Sequence, residues 1–251
     1  MINAITKSVW RIAFFLLMAI MLNACSNKNP STPILLFNGT GASANDVVAI
    51  ETILNSSHLS YSTINSSELN GMGEAQMRRY RLLIVPGGNF IDMGNSLTPG
   101  TLTRIRDAVH HGLNYLGICA GGFLAGNSGG HYNSLNLTSG IGFGFYVAEN
   151  DGIHKAAVAI ASPGSPPLDQ YWEDGPQFTG WGTVIAKYPD NTPAIVQGKF
   201  GNGCVVLTGV HAEAPDNWRG GMIFHTQTNT DNAYAATLVR ASLNRTELPH
   251  Y

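Results

Sequence analysis

This chain is poor in charge. Of its 251 residues, 12% are Asp, Glu, Lys or Arg, about half the ~25% usual in soluble domains. There is no basic excess either, with 14 Lys and Arg against 16 Asp and Glu and a net charge of −2. A nucleic-acid binder needs a cationic stripe facing phosphates, so the composition speaks against that class. Cysteine is scarce as well. Three residues allow at most one bridge, which excludes a disulfide scaffold. The apolar run Ile12–Leu22 falls short of the roughly 18 residues that a membrane-spanning helix needs. What the chain does have is an ordinary apolar share of 44% and 29 glycines without a Gly-X-Y period. It is therefore neither disordered nor collagen-like. Its length fits one α/β domain, or one with a small addition.

Lys7 and Arg11 precede the apolar run, the order of a secretory signal. Leu22-Asn23-Ala24-Cys25 then resembles the bacterial lipobox. That resemblance implies a signal peptide over 1–24, lipidation of Cys25, a polar Pro-containing tether over 25–33 and a folded domain over 34–251. Ser26 in place of Asp favours the outer membrane if the source is Gram-negative, with the protein anchored at the envelope and facing the periplasm. Cleavage removes Lys7 and Arg11 and no acid, so the remaining chain is more acidic than the whole. The alternative is an ordinary secretory signal with Cys25 incidental.

The rest alternates strand and helix patterns. Ile34–Phe37, Ser60–Ile64, Arg81–Val85 and Leu113–Ile118 read as strands. Ala44 to about Leu54, Thr98–Gly112 and Ala120–Gly126 read as helices. Ser43 with Asp46 resembles a capping box. Such alternation predicts an α/β fold with a mostly parallel sheet and helices on both faces. Beyond residue 140 the pattern changes to strands at Phe143–Glu149, Ala156–Ala161, Thr183–Tyr188, Ala194–Gln197 and Cys204–Val210, then a helix at Thr230–Leu243. Pro163-Gly-Ser-Pro166-Pro167 reads as a loop.

Gly117-Ile118-Cys119-Ala120-Gly121-Gly122 places a cysteine where a strand turns sharply into a helix. Glycine neighbours make room for such a turn, and a helix N-terminus favours thiolate. His211 follows a strand directly and has Glu213 two residues on. It is expected on the same sheet edge as the cysteine, as base with Glu213 orienting it. Pro86-Gly87-Gly88 ends a neighbouring strand, where N–H groups can face a developing oxyanion together with that of Ala120. Each element also has a plain reading: a buried cysteine, a surface histidine, a simple turn.

In this order the motifs resemble the class I glutamine amidotransferase-like superfamily, and within it the biotin-protein ligase N-terminal domain family. The resemblance rests on Phe37-Asn38-Gly39-Thr40-Gly41, Val85-Pro86-Gly87-Gly88, the Cys119 turn, Tyr171-Trp172-Glu173-Asp174-Gly175-Pro176 and Gly209-Val210-His211-Ala212-Glu213. It implies a flavodoxin-like sheet with antiparallel additions in the C-terminal half. It also implies Cys119 as nucleophile, His211 as base, Glu213 as its partner, and Gly87, Gly88 and Ala120 as oxyanion donors. Gly41, Tyr171 and Glu173 would contact substrate. No synthetase domain accompanies the motifs and biotin transfer is not expected. The activity implied is hydrolysis of an amide in a small molecule or peptide, without a cofactor. A ligand-binding lipoprotein with a vestigial site, or a redox sensor using Cys119, are the alternatives.

Several features favour plain readings. Gly39-x-Gly41-x-x-Ala44 matches a dinucleotide fingerprint, but no acid ends the second strand to hold a ribose. Asp169 to Asp174 reads as an acidic, aromatic loop that rims a pocket or covers the sheet edge. Trp181 and Trp218 are expected in core or rim. No spacing suggests zinc, and Cys204 reads as a packing residue.

Overall fold

The computed structural model describes residues 32–147 and 154–251. In chain order the elements are β1 (Ile34–Phe37), α1 (Ala44–Ser56), β2 (Tyr61–Ile64), α2 (Ser66–Gly71), α3 (Glu74–Met77), β3 (Leu82–Val85), α4 (Phe90–Ser96), α5 (Pro99–His110), β4 (Asn114–Ile118) and α6 (Ala120–Ala125). After these come β5 (Lys155–Ile160), β6 (Leu168–Glu173), β7 (Thr183–Lys187), β8 (Pro193–Phe200), β9 (Gly203–Thr208), a 3-10 turn at Asp216–Trp218 and α7 (Thr228–Asn244).

β1, β3, β4 and β9 are buried at every residue. Continuous burial marks strands covered on both faces, as parallel sheets require. Seven strands form one sheet in the order β2-β1-β3-β4-β9-β8-β7. Neighbours from β2 to β9 run parallel, while β8 and β7 are antiparallel additions. Alternate side chains feed two cores. Leu35, Leu83 and Tyr115 pack with Met93, Ile105 and Leu124 of α4, α5 and α6. Ile34, Leu82 and Leu116 pack on the other face with Ile50 of α1 and Val239 of α7. β5 and β6 form a separate hairpin whose Ile160 and Trp172 join a third cluster with Ile185 and Leu238. Among the described residues no helix is long and apolar enough to cross a membrane.

The sheet, its helices and the antiparallel strands agree with the expected α/β architecture, with ends shifted by a few residues. Three local readings are corrected. Residues 143–147 carry no strand, only an isolated bridge from Phe145 to Pro176; the remainder of the expected strand to Glu149 lies outside the described residues. Its aromatics are used for packing instead: Tyr146 stacks on Tyr188 at 3.7 Å and Phe145 lies 4.8 Å from Phe123. The acidic, aromatic segment is not a loop, because Leu168–Glu173 pairs residue for residue with Lys155–Ile160. The capping box is half formed. Ser43 Oγ accepts from Asp46 N at 3.3 Å, but Ser43 N donates to Gly87 O. Cys25, with the signal and most of the tether, lies outside the described residues.

Candidate functional site

The carboxyl ends of β1, β3, β4 and β9 converge on one edge, where open α/β sheets form their sites. Cys119 stands there between β4 and α6 with φ +48° and ψ −105°. A left-handed φ is costly for a side chain with Cβ, so the turn must be held from outside. Cys119 N donates to Thr208 O at the end of β9, and Gly121 N donates to Pro86 O after β3. A methyl group at Gly121 would overlap the Val85 carbonyl, so this crossing needs glycine. The thiol donates to Glu173 O at 3.6 Å.

The chain after β9 delivers His211, whose N–H donates to Tyr171 O at 2.8 Å and locks it against β6. Its ring lies 5.8 Å from those of Tyr171 and Trp218. His211 Nδ1 is 2.8 Å from Glu213 Oε1. A second acid, Asp46 of the first turn of α1, places Oδ1 3.1 Å from the same nitrogen. All three residues are buried. Burial pushes the His211 imidazole down, but the Glu213 and Asp46 carboxylates outweigh it and hold it well above the usual histidine value. Burial pushes Asp46 up, yet His211 pulls it below the ordinary carboxylate value. The ligand atoms of Asp46, His211 and Glu213 lie within 4.8 Å of one another. The 2.8 Å separation from Nδ1 to Glu213 Oε1 is that of a charge-assisted hydrogen bond, while Asp46 Oδ1 stands at 3.1 Å without a hydrogen of its own.

A cavity of about 560 Å³ opens on this group. Cys119, His211, Gly88, Ala120, Tyr171 and Glu173 line it. Among the described residues the Gly88 and Ala120 N–H groups donate to no protein acceptor. The Tyr171 hydroxyl donates to Glu173, and burial with that carboxylate raises its own pKa. Glu213 sits behind His211. Two expected contacts are placed elsewhere. Gly41 has φ +85° and its carbonyl accepts from Asn89 N, so it braces the β1–α1 loop and does not line the cavity. Gly87 also lies behind the wall, where a methyl group would overlap Asp46 Oδ1 and come within 2.7 Å of His211 Cε1. Trp218 proves to be rim. Phe90 and Phe123, stacked at 4.4 Å, add an apolar wall that the sequence reading did not mark.

Asp46 is the residue missed for the chemistry. One signal was present: it is an acid in the first turn after β1, hence on the same sheet edge as Cys119. The other cysteine is remote. Cys204 N donates to Asn114 Oδ1 at 3.1 Å, at the start of β4 and five residues before Cys119, or roughly 16 Å at ~3.3 Å per residue. That exceeds disulfide reach, and both thiols are free.

The fold is that of the class I glutamine amidotransferases. PurLQS from Thermotoga maritima superposes with a TM-score of 0.57 at 16% identity, over 83% of this chain and 98% of that one. A Thermoplasma acidophilum protein described as a GMP synthase component gives 0.53 at 13%, over 85% and 96%. Residues 32–133 match the family model described as biotin-protein ligase, N terminal. A biotin–protein ligase of Schizosaccharomyces pombe (strain 972 / ATCC 24843) is 29% identical over 160 residues, 53% of this chain. The chain spans a quarter of that relative's length, 25%.

Proposed function

We propose that this protein is a thiol-dependent hydrolase of amide-type carbonyls. The observation that carries the reading is Cys119 on a strained turn in one cavity with a histidine whose Nδ1 is held by an acid at 2.8 Å. With Nδ1 engaged, Nε2 is the nitrogen left to exchange a proton with Cys119. The thiolate adds to the carbonyl carbon, and the Gly88 and Ala120 N–H groups stabilise the oxygen that takes up the charge. Collapse breaks the C–N bond, and His211 gives its proton to the departing amine. Water then adds to the thioester, His211 takes a proton from it, and the carboxylic acid leaves as the C–S bond breaks. Glu213 keeps the imidazole oriented throughout. Biotin transfer is not part of this proposal.

Iodoacetamide tests it. Cys119 should alkylate at least ~tenfold faster than Cys204, and His211→Ala should slow it ~100-fold, within the range for lost general acid–base help. Equal rates at the two cysteines would sink the reading. Screening glutamine, small amides and cell-wall peptides against wild type and Cys119→Ala then addresses the substrate. One contact favours a second reading, a non-catalytic binding site: the thiol donates to the Glu173 carbonyl instead of lying free. That reading expects ligand affinity to survive Cys119→Ala.

Lipid anchoring at Cys25, in an envelope protein facing the periplasm, completes the proposal and rests on the sequence alone. Incorporation of radiolabelled palmitate that Cys25→Ser abolishes is the expected result. Equal labelling of the variant would refute it.

A further inference from the structure

We infer that Asp46 is a second positioning acid for His211, sharing with Glu213 the task of keeping the imidazole oriented and charged. The inference deepens the proposed role of His211 and rests on it, but its test reads the imidazole itself.

Three observations on different elements carry it. First, His211 Nδ1 bears a single hydrogen, which Glu213 Oε1 takes at 2.8 Å, while Asp46 Oδ1 lies 3.1 Å from the same atom. Asp46 Oδ1 is closed off from solvent and receives no hydrogen bond. A buried carboxylate oxygen without a donor is costly unless a positive charge sits beside it. The imidazolium supplies that charge, and the neutral ring would not. Second, α1 aims the carboxylate inward. An acid three residues after an N-cap serine commonly turns back to the cap N–H. Here Ser43 N is already satisfied by Gly87 O at 3.0 Å, which leaves the Asp46 side chain free to face His211. Third, the wall behind both residues is cut away at Gly87, whose missing side chain is what allows the approach.

The other groups around His211 do not supply this balance. Glu213 comes from its own loop and Cys119 from the β4–α6 turn. From β6 comes Tyr171, whose hydroxyl is engaged by Glu173. The 3-10 turn contributes Trp218, which is uncharged. Lys155 and Asp174 line the same cavity without an ion pair to His211 among the described residues. Asp46 is thus the charge within salt-bridge distance of Nδ1 that the Cys-His-Glu set does not include.

The test is nitrogen NMR of the full chain labelled with ¹⁵N-histidine, in the presence of a chelator. In wild type, His211 should be an imidazolium at pH 7.5, and a neutral ring there would overturn the inference without any variant. Asp46→Asn should lower the His211 midpoint by ~1 unit or more, the usual effect of removing an opposite charge at this range. Glu213→Gln should do likewise, and the double variant should exceed either. A folded Asp46→Asn protein with the wild-type midpoint would leave Asp46 as a helix-end residue and overturn the role. The hydrolase reading fails separately: an unreactive Cys119 beside a normally shifted His211 would end that reading and leave Asp46 in place.

Discussion

Two charge clusters are buried among the described residues, and they are built in different ratios. At the carboxyl edge of the sheet, one base meets two acids: His211 with Glu213 and Asp46. Near the start of α7, one base meets one acid. Arg219 Nη2 lies 2.6 Å from Asp231 Oδ2, and Asp231 is fully buried. Arg219 also donates to Thr226 O at 3.0 Å and stacks 4.4 Å from the Phe224 ring. The responses of the two aspartates differ. Burial pushes Asp231 up to about 6 although Arg219 opposes it. Asp46 is pulled down by a histidine that is itself held above its usual range. A matched pair whose guanidinium also holds Thr226 O and Phe224 works as a clasp, tying the segment that bears Trp218 to α7. A surplus of acid around one imidazole has little value as a clasp, since the second carboxylate lacks a hydrogen. Its consequence is protonic, which is the behaviour a catalytic base needs.

The largest effect should come from breaking the clasp. Arg219→Met leaves Asp231 buried without its cation, which costs about 3–5 kcal/mol in comparable sites. Urea unfolding reads this directly. The cost should shrink at pH 4.5 relative to pH 7.5. Asp231 is an acid whose folded value is raised, so below about 6 it can take a proton and no longer needs the cation. Replacing both partners with Met and Leu should restore much of the stability. A loss under about 1 kcal/mol for Arg219→Met alone would mean that the clasp is slack and would erase the contrast drawn above.

What was legible in the sequence follows from where each function is encoded. Cys119, its glycines, and His211 with Glu213 are set by local chain geometry: a strand, a tight turn and a two-residue spacing. The parallel core was visible because β1 and β3 are unbroken apolar runs and β4 and β9 are largely apolar. Asp46 was read only as a capping residue. Its partner lies on another strand's far end, and no local pattern links the first turn of α1 to the loop after β9. Arg219 and Asp231 were invisible for the same reason. β6 was taken for a loop because Pro166-Pro167 and three acids obscure a strand that exists through its pairing with β5. Residues 143–147 erred the other way: Phe143, Phe145 and Tyr146 have strand-forming side chains, but these pack against the rings of Phe178, Phe123 and Tyr188.

The smallest expected effect probes the two-acid cluster from behind. Gly87 is a backbone residue at first sight, the middle of a turn that Pro-Gly-Gly satisfies anywhere. Its α-carbon, however, faces both Asp46 Oδ1 and the His211 ring. Gly87→Ala should therefore cost about 1 kcal/mol of stability, the low end for overpacking. It should also slow Cys119 alkylation about tenfold, equivalent to about 1.4 kcal/mol, by spreading the acid from the imidazole. The two readouts separate the explanations. A turn defect lowers stability and leaves reactivity at wild type. Displacement of Asp46 lowers reactivity, and a double-mutant cycle with Asp46→Ser should then show coupling, because the methyl group gains room when the carboxylate is gone. Additive effects would assign Gly87 to the turn alone, and the approach of Asp46 to His211 would have to be explained by α1 without help from the wall.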